Sequence, residues 1–162
     1  MEQSFLKPDS LSKEEKYQSF IEDYASLIED VDCQTSVLAN TSAALREAFG
    51  FFWVGFYMIE NESLWLGPFQ GNVACYSIKK GRGVCGTAWL KACTIVVPDV
   101  DNFPGHIACS SLSRSEIVVP IMDNGVVKGV LDIDSTELGT FDEIDRIYLE
   151  RIVDILSKEI YG

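Results

Sequence analysis

A chain of 162 residues that is 47% hydrophobic and 23% charged has the apolar material for one sizeable core and too much of it for a disordered chain. Its net charge of −12 would be repelled by nucleic acid and by anionic membranes, which leaves small molecules and other proteins as partners. The N-terminal stretch MEQSFLKPDSLSKEEKYQ has no basic n-region or apolar h-region, and no segment reaches the roughly 18 apolar residues of a membrane span, so one domain over 1–162 and a cytoplasmic location are expected.

Ser12 and Glu15 make a capping box, and Tyr17, Phe20, Ile21, Tyr24, Leu27 and Ile28 recur behind it at helical spacing, which predicts an amphipathic first helix. A second helix is expected from about Cys33 to Ala48, with Val37, Ala44, Leu45 and Ala48 on its apolar side and Gly50 as its stop. FFWVGFYMIE and SLWLGPF are rich in aromatic and branched residues and meet at Glu60-Asn61-Glu62, so they predict a hairpin, with VACYSI as a third strand. Gly81 and Gly83 loosen the backbone ahead of a short helix in VCGTAWLKA, and TIVVPDV reads as a short strand closed by Pro98. EIVVPIM and VVKGVLDID, linked by Asp123-Asn124-Gly125, form the clearest hairpin, because Asn-Gly accepts the positive φ angles of a tight turn. Thr140 and Glu143 form a second capping box, opening a terminal helix with Ile144, Ile147, Tyr148, Ile152, Ile155 and Leu156 on one face.

Helices at both ends and a hairpin-built sheet between them imply an α+β layer structure: helices over about 1–50, a mainly antiparallel sheet with loops over 51–139, and a helix over 140–162. The helices cover one sheet face, and the segment from Gly71 to Ser115 is left to cover the other. Glycine, cysteine, serine and the lone histidine gather in that segment, so a pocket between sheet and loops is the expected site.

The chain has five cysteines, and in a reducing compartment an odd number points to redox chemistry, metal or packing ahead of a disulfide framework. Cys33 lies among acids, which would raise its pKa and blunt it, and Cys93 sits at the edge of an apolar run where a free cysteine is ordinarily buried. Cys75, Cys85 and Cys109 each end a small or apolar stretch beside a Gly-rich or Ser-rich turn. Cys109 is the best nucleophile candidate, because the Gly105-His106 turn before it and Ser110, Ser111 and Ser113 after it offer backbone N–H groups to a thiolate. His106 is expected to be a turn residue bonded within its own loop in preference to half of a Cys-His dyad. Zinc is disfavoured, since no CxxC pair or similarly close spacing is present. Most of the 25 carboxylates are solvated surface; Glu116 before IVVPI, and Asp132 and Asp134 at alternate positions of one strand, differ. Two like charges on one sheet face at the end of an apolar strand ask for a cation or a proton, although the pattern alone equally admits a strand end facing water.

NVACYSIKKGRGVCGTAWL, DVDNFPGHIACSSLSRSEIVVPI and GVVKGVLDIDSTELGTFDEID together resemble the free methionine-(R)-sulfoxide reductases, enzymes built on a GAF domain, from about Phe51 to the terminal helix. The resemblance implies a GAF-like fold and a thiol reductase without cofactor or metal. It implies that Cys109 attacks the sulfoxide sulfur of free methionine-(R)-sulfoxide and becomes a sulfenic acid, that Cys85 resolves it as a Cys85–Cys109 disulfide with Cys75 as a second resolving or relay thiol, and that thioredoxin regenerates the dithiol. It places Glu116, Asp132 and Asp134 in the pocket, one giving the proton to the departing oxygen and the others holding the substrate ammonium, and it makes Trp53 the wall for the substrate methyl group. Cys33 and Cys93 have no place in the motif. Two rival readings use the same residues: a GAF module that binds a small ligand without turnover, and a thiol redox sensor, which has no need of the three acids. The apolar stretch EIDRIYLERIVDIL would allow a homodimer through the terminal helix.

Overall fold

The structure, a computed structural model, describes residues 4–107 and 109–162; residues 1–3 and Ala108, the latter within the GHIAC motif, lie outside the described residues. The described residues form an antiparallel sheet of six strands: β1 (Trp53–Glu60), β2 (Ser63–Gln70), β3 (Ser77–Lys79), β4 (Ile95–Val97), β5 (Ser115–Asp123) and β6 (Val126–Ser135). Their order across the sheet is β3-β2-β1-β6-β5-β4, so the two predicted hairpins lie side by side with β1 against β6. Asn124 and Gly125 both take positive φ (50° and 79°), as the two-residue turn between β5 and β6 demands.

Alternation along the strands then sorts the side chains into two layers. Val54 and Phe56 of β1, Ile117, Val119 and Ile121 of β5, and Leu131 and Ile133 of β6 face one way, into a core closed by α1 (Lys13–Ile28), α2 (Gln34–Phe49) and α4 (Glu143–Tyr161). Trp53, Tyr57, Val118 and Val130 face the other way, where α3 (Gly83–Lys91) and the loops around it cover them. The α+β layering is the one expected, with α1, α2 and α4 on one face; of the 71–115 segment, α3 and the loops cover the other face, while β3 and β4 join the sheet as its two edge strands.

Three local expectations are corrected. The third strand is shorter than VACYSI, because residues 73–76 leave the ladder after a single bond in which the Leu66 N–H donates to the Tyr76 carbonyl. The last helix is capped by Asp142 instead of Thr140: the Asp142 carboxylate accepts from the N–H groups of Ile144 and Asp145, and Asp145 accepts from the Asp142 N–H in return. Thr140 is spent elsewhere, its hydroxyl 2.6 Å from that of Ser135. Ile147 lies 44% exposed, off the buried stripe of Tyr148, Leu149, Ile152, Val153 and Leu156. The buried Asp145 also ties α4 to α1, accepting from the Tyr17 hydroxyl at 2.6 Å and the Lys13 ammonium at 2.7 Å. Among the described residues no helix is long and apolar enough to cross a membrane.

Candidate active site

Strand register assembles the site. Antiparallel pairing puts Glu116 of β5 opposite Asp134 of β6, and Asp134 opposite Trp53 of β1; the next row on the same face is Val118, Asp132 and Gly55. Three carboxyls and an indole from distant parts of the chain thus share one patch, and all four line one pocket. The same-face placement of Asp132 and Asp134 follows the expected alternation, and Glu116 joins them through the cross-strand register.

The Trp53 ring is held on three sides. Its Nε1 donates to the Asn72 carbonyl at 2.9 Å, and it stacks on Phe69 and Tyr57 at centroid distances of 5.2 and 6.1 Å. Gly71, at φ +141°, keeps that wall possible, since a Cβ there would fall 2.5 Å from Trp53 Cδ1. Tyr57 completes the aromatic side, and its hydroxyl donates to the Cys75 carbonyl at 2.9 Å, which fixes the loop carrying that cysteine.

The thiols sit around this patch, although their pairing differs from the one the resemblance implied. Cys109 is joined to Cys75, with Cα atoms 5.5 Å apart, and Cys85 is free and buried. The reason is position. Cys85 lies in the first turn of α3, which rests on the sheet because Gly86 has no Cβ to strike the Lys79 carbonyl, and its sulfur points at Asp132 and Glu116. Cys75 sits on the outer loop before β3, within reach of Cys109.

Electrostatics mark the patch as unusual. Glu116 and Asp132 are each 6% exposed. Burial pushes the carboxyls of Glu116, Asp132 and Asp134 well up from the usual range, and the neighbouring acids push them further: Asp134 acts on Glu116, Glu116 on Asp132, and Asp132 on Asp134. Burial likewise raises the Cys85 thiol, with Asp132 and Glu116 adding to it. Asp132 Oδ1, Asp134 Oδ1 and Ser113 Oγ have no hydrogen-bond partner among the described residues. With all three acids ionised there is no donor to place between them, so a proton retained by the cluster, shared as one coupled unit, is what the geometry favours at neutral pH.

His106 is the residue that sequence reasoning undervalued. Its N–H does bond within its own loop, to the Phe103 carbonyl, yet its ring is turned into the pocket with Nε2 3.6 Å from Glu116 Oε1. Nothing local signals this, whereas Tyr57 was findable, standing four residues from Trp53 on the same strand face. The two remaining cysteines also depart from expectation. Cys93 is exposed, because Ala92 turns into the left-handed region at φ 51° and carries the chain off the end of α3. Cys33 is exposed at the N-cap position of α2, where the nearby Ser36 hydroxyl and N–H hold its thiol below the usual range in place of the rise expected from nearby acids.

Within the disulfide form the pocket is tight, with a cavity of about 40 Å³. Small-ligand sites ordinarily offer roughly 300 Å³ and upward. The closed form therefore has space for ordered water or an ion and not for an amino acid.

The GAF domain family model matches residues 35–160. GAF domain-containing protein A of Dictyostelium discoideum is 55% identical over 147 residues, covering 90% of this chain and 93% of its own length. The free methionine-R-sulfoxide reductase of Escherichia coli is 44% identical over 149 residues, covering 91% and 90%. The crystal structure of free methionine-R-sulfoxide reductase from Neisseria meningitidis in complex with its substrate superimposes with a TM-score of 0.92 at 50% identity, over 96% of this chain and 94% of that one.

Proposed function

Since the chain belongs to the free methionine-(R)-sulfoxide reductases of the GAF-domain family, we propose that its pocket reduces free L-methionine-(R)-sulfoxide to methionine. The observation that carries this reading is the meeting of Cys109, three buried carboxyls and the Trp53 ring in one pocket, with Cys109 already joined to a second thiol.

With the disulfide open, the substrate methyl group lies against Trp53 and its sulfur faces Cys109. The Cys109 thiolate attacks that sulfur while a protonated carboxyl of the Glu116, Asp132 and Asp134 cluster gives its proton to the departing oxygen. The sulfoxide gains two electrons and leaves as methionine; Cys109 loses two and carries the oxygen as a sulfenic acid. The raised carboxyls suit the donor's task, because an acid of ordinary pKa would have no proton to give at neutral pH. The ionised members of the cluster answer the substrate ammonium, and Arg82 and the N–H groups beside Cys109 are the candidates for its carboxylate. The Cys75 thiol then attacks the sulfenic sulfur, water leaves, and the Cys75–Cys109 bond forms; in this reading Cys75 takes the resolving role and Cys85 remains a pocket thiol beside the acids. Thioredoxin, supplying two electrons and two protons, restores the dithiol. A pocket that buries both charged ends of the substrate leaves no exit for a peptide chain, which selects the free amino acid. The same reading takes 1–162 as a single cytoplasmic domain without nucleic acid or membrane partners, and pairs two copies through α4, where Ile147 is exposed.

The test is methionine release from the separate R and S epimers of free methionine sulfoxide with dithiothreitol as reductant. Turnover of the R epimer alone, abolished by Cys109→Ser, is expected. If the folded, reduced protein turns over neither epimer, the reductase reading fails and a ligand-binding GAF module takes its place.

A further inference from the structure

The acid cluster shares its wall with a thiol that the reductase steps leave unused. Cys85 Sγ, a Glu116 carboxylate oxygen and an Asp132 carboxylate oxygen lie within 4.8 Å of one another, and all three residues are buried. They come from three elements, the first turn of α3, β5 and β6, so no sequence spacing could have shown them together. A tetrahedral ion with metal–sulfur and metal–oxygen bonds near 2.3 and 2.1 Å would draw the ligand atoms to about 3.6 Å apart, an adjustment of side-chain torsions and not of backbone. A second observation points to a ligand: Asp132 Oδ1, on a residue 6% exposed, has no hydrogen-bond partner among the described residues.

We propose that Cys85, Glu116 and Asp132 bind a divalent cation of the zinc class. The donor set makes the choice. Thiolate excludes the hard cations magnesium and calcium, while two carboxylates and one sulfur suit a borderline ion. The cavity of about 40 Å³ beside these groups has room for the ion and a water as fourth ligand. His106, 3.6 Å from Glu116 Oε1, stands outside the ligand set and orients that carboxylate. Binding displaces to solvent the Cys85 thiol proton and any proton the cluster holds on Glu116 or Asp132, and involves no electron transfer. Neither Cys75 nor Cys109 is a ligand, so the disulfide form binds the ion as it stands. If the reductase reading holds, the bound ion occupies the carboxyls that the substrate ammonium and the proton donor need, and it inhibits turnover.

The probe is Co2+, titrated into the disulfide form without reductant, in a Cys33→Ser, Cys93→Ser background that removes both exposed thiols. A near-ultraviolet thiolate-to-cobalt band, saturating at a single Co2+ per chain and bleached by Zn2+, is expected. It should vanish in Cys85→Ser, and Asp132→Asn should weaken Co2+ binding by at least about tenfold. Absence of the band in protein that circular dichroism shows to be folded overturns the proposal, as does its persistence in Cys85→Ser. Should Cys85→Ser not fold, Asp132→Asn and Glu116→Gln decide: undiminished affinity in both also overturns it. The titration reads metal binding without turnover, so a failed reductase assay and a failed metal site are told apart.

Discussion

On the helix side of the sheet, Val54, Phe56, Ile117, Val119, Leu131 and Ile133 meet α1, α2 and α4 in a layer that is almost wholly apolar. On the other side the same strands present Trp53, Glu116, Asp132 and Asp134 to loops, and two of the carboxylate oxygens have no hydrogen-bond partner among the described residues. Burial of a large apolar side chain favours folding by about 1.5–3 kcal/mol, whereas a buried polar atom left unpaired costs about 1–3 kcal/mol. One face therefore stabilises the sheet, and the other draws on that stability to hold acids in a form water would not allow. Strands shared between the faces let a single register serve both purposes.

The comparison can be broken most severely at the thiols. Cys75→Ser should release about one equivalent of methionine per chain and then stop when thioredoxin is the reductant, because the Cys109 sulfenic acid has no thiol to resolve it; rapid-quench methionine analysis reads this, and continued full-rate turnover would show Cys75 to be dispensable. Next in size is Asp132→Asn, expected to lower kcat/KM for the sulfoxide by about 10²–10⁴-fold, through loss of a proton donor or an ammonium partner. The same variant should melt higher than wild type at pH 7, by about 2–4 °C for each kcal/mol recovered, because an amide can stay buried without ionising. On the opposite face, Leu131→Ala should cost about 2–5 kcal/mol in a denaturant titration and leave the activity of the folded fraction near that of wild type. A result in which Leu131→Ala cut activity and spared stability would erase the distinction between the faces.

Titration sharpens the contrast. Glu116, Asp132 and Asp134 have folded pKa values above their unfolded ones, so the native state binds more protons between the two. Their contribution to stability is therefore fully present below about pH 4 and is lost as pH rises through the folded values. Asp142, held low by the Asp145 N–H and Lys13, acts in the opposite sense and loses its contribution as pH falls below about 4. Unfolding free energy measured from pH 4 to 8 should decline, and the decline should flatten in Glu116→Gln; an unchanged slope would mean that the cluster does not titrate in that window. The smallest effect belongs to the helix cap: Asp142→Ala should cost about 1 kcal/mol by thermal melting, with Thr140→Ala removing only the hydroxyl contacts to Ser135 and to the Glu137 carbonyl.

Much of this was legible beforehand where the cause is local. The Ser12 and Glu15 capping box, the αL stop at Gly50 and the Asn124-Gly125 turn all follow from the chemistry of a few adjacent residues. The terminal helix shows the limit of such reasoning, since Thr140 with Glu143 and Asp142 with Asp145 both have the spacing of a capping box. Tertiary bonds decide between them, by committing the Thr140 hydroxyl to Ser135. Spacing is likewise silent on Cys85, Glu116 and Asp132, which come from α3, β5 and β6 and meet only in the folded chain.

By itself, then, the sequence determined the elements, the division of the sheet into an apolar and a functional face, and the pairing of Asp132 with Asp134 on one side, because periodicity and turn chemistry act over a few residues. Only the tertiary structure decided that Glu116 and Trp53 stand opposite Asp134, that Cys109 joins Cys75 in place of Cys85, and that His106 turns toward Glu116. Those outcomes depend on strand register and on which loop approaches which, quantities set by the packing of the whole core and carried by no short stretch of chain.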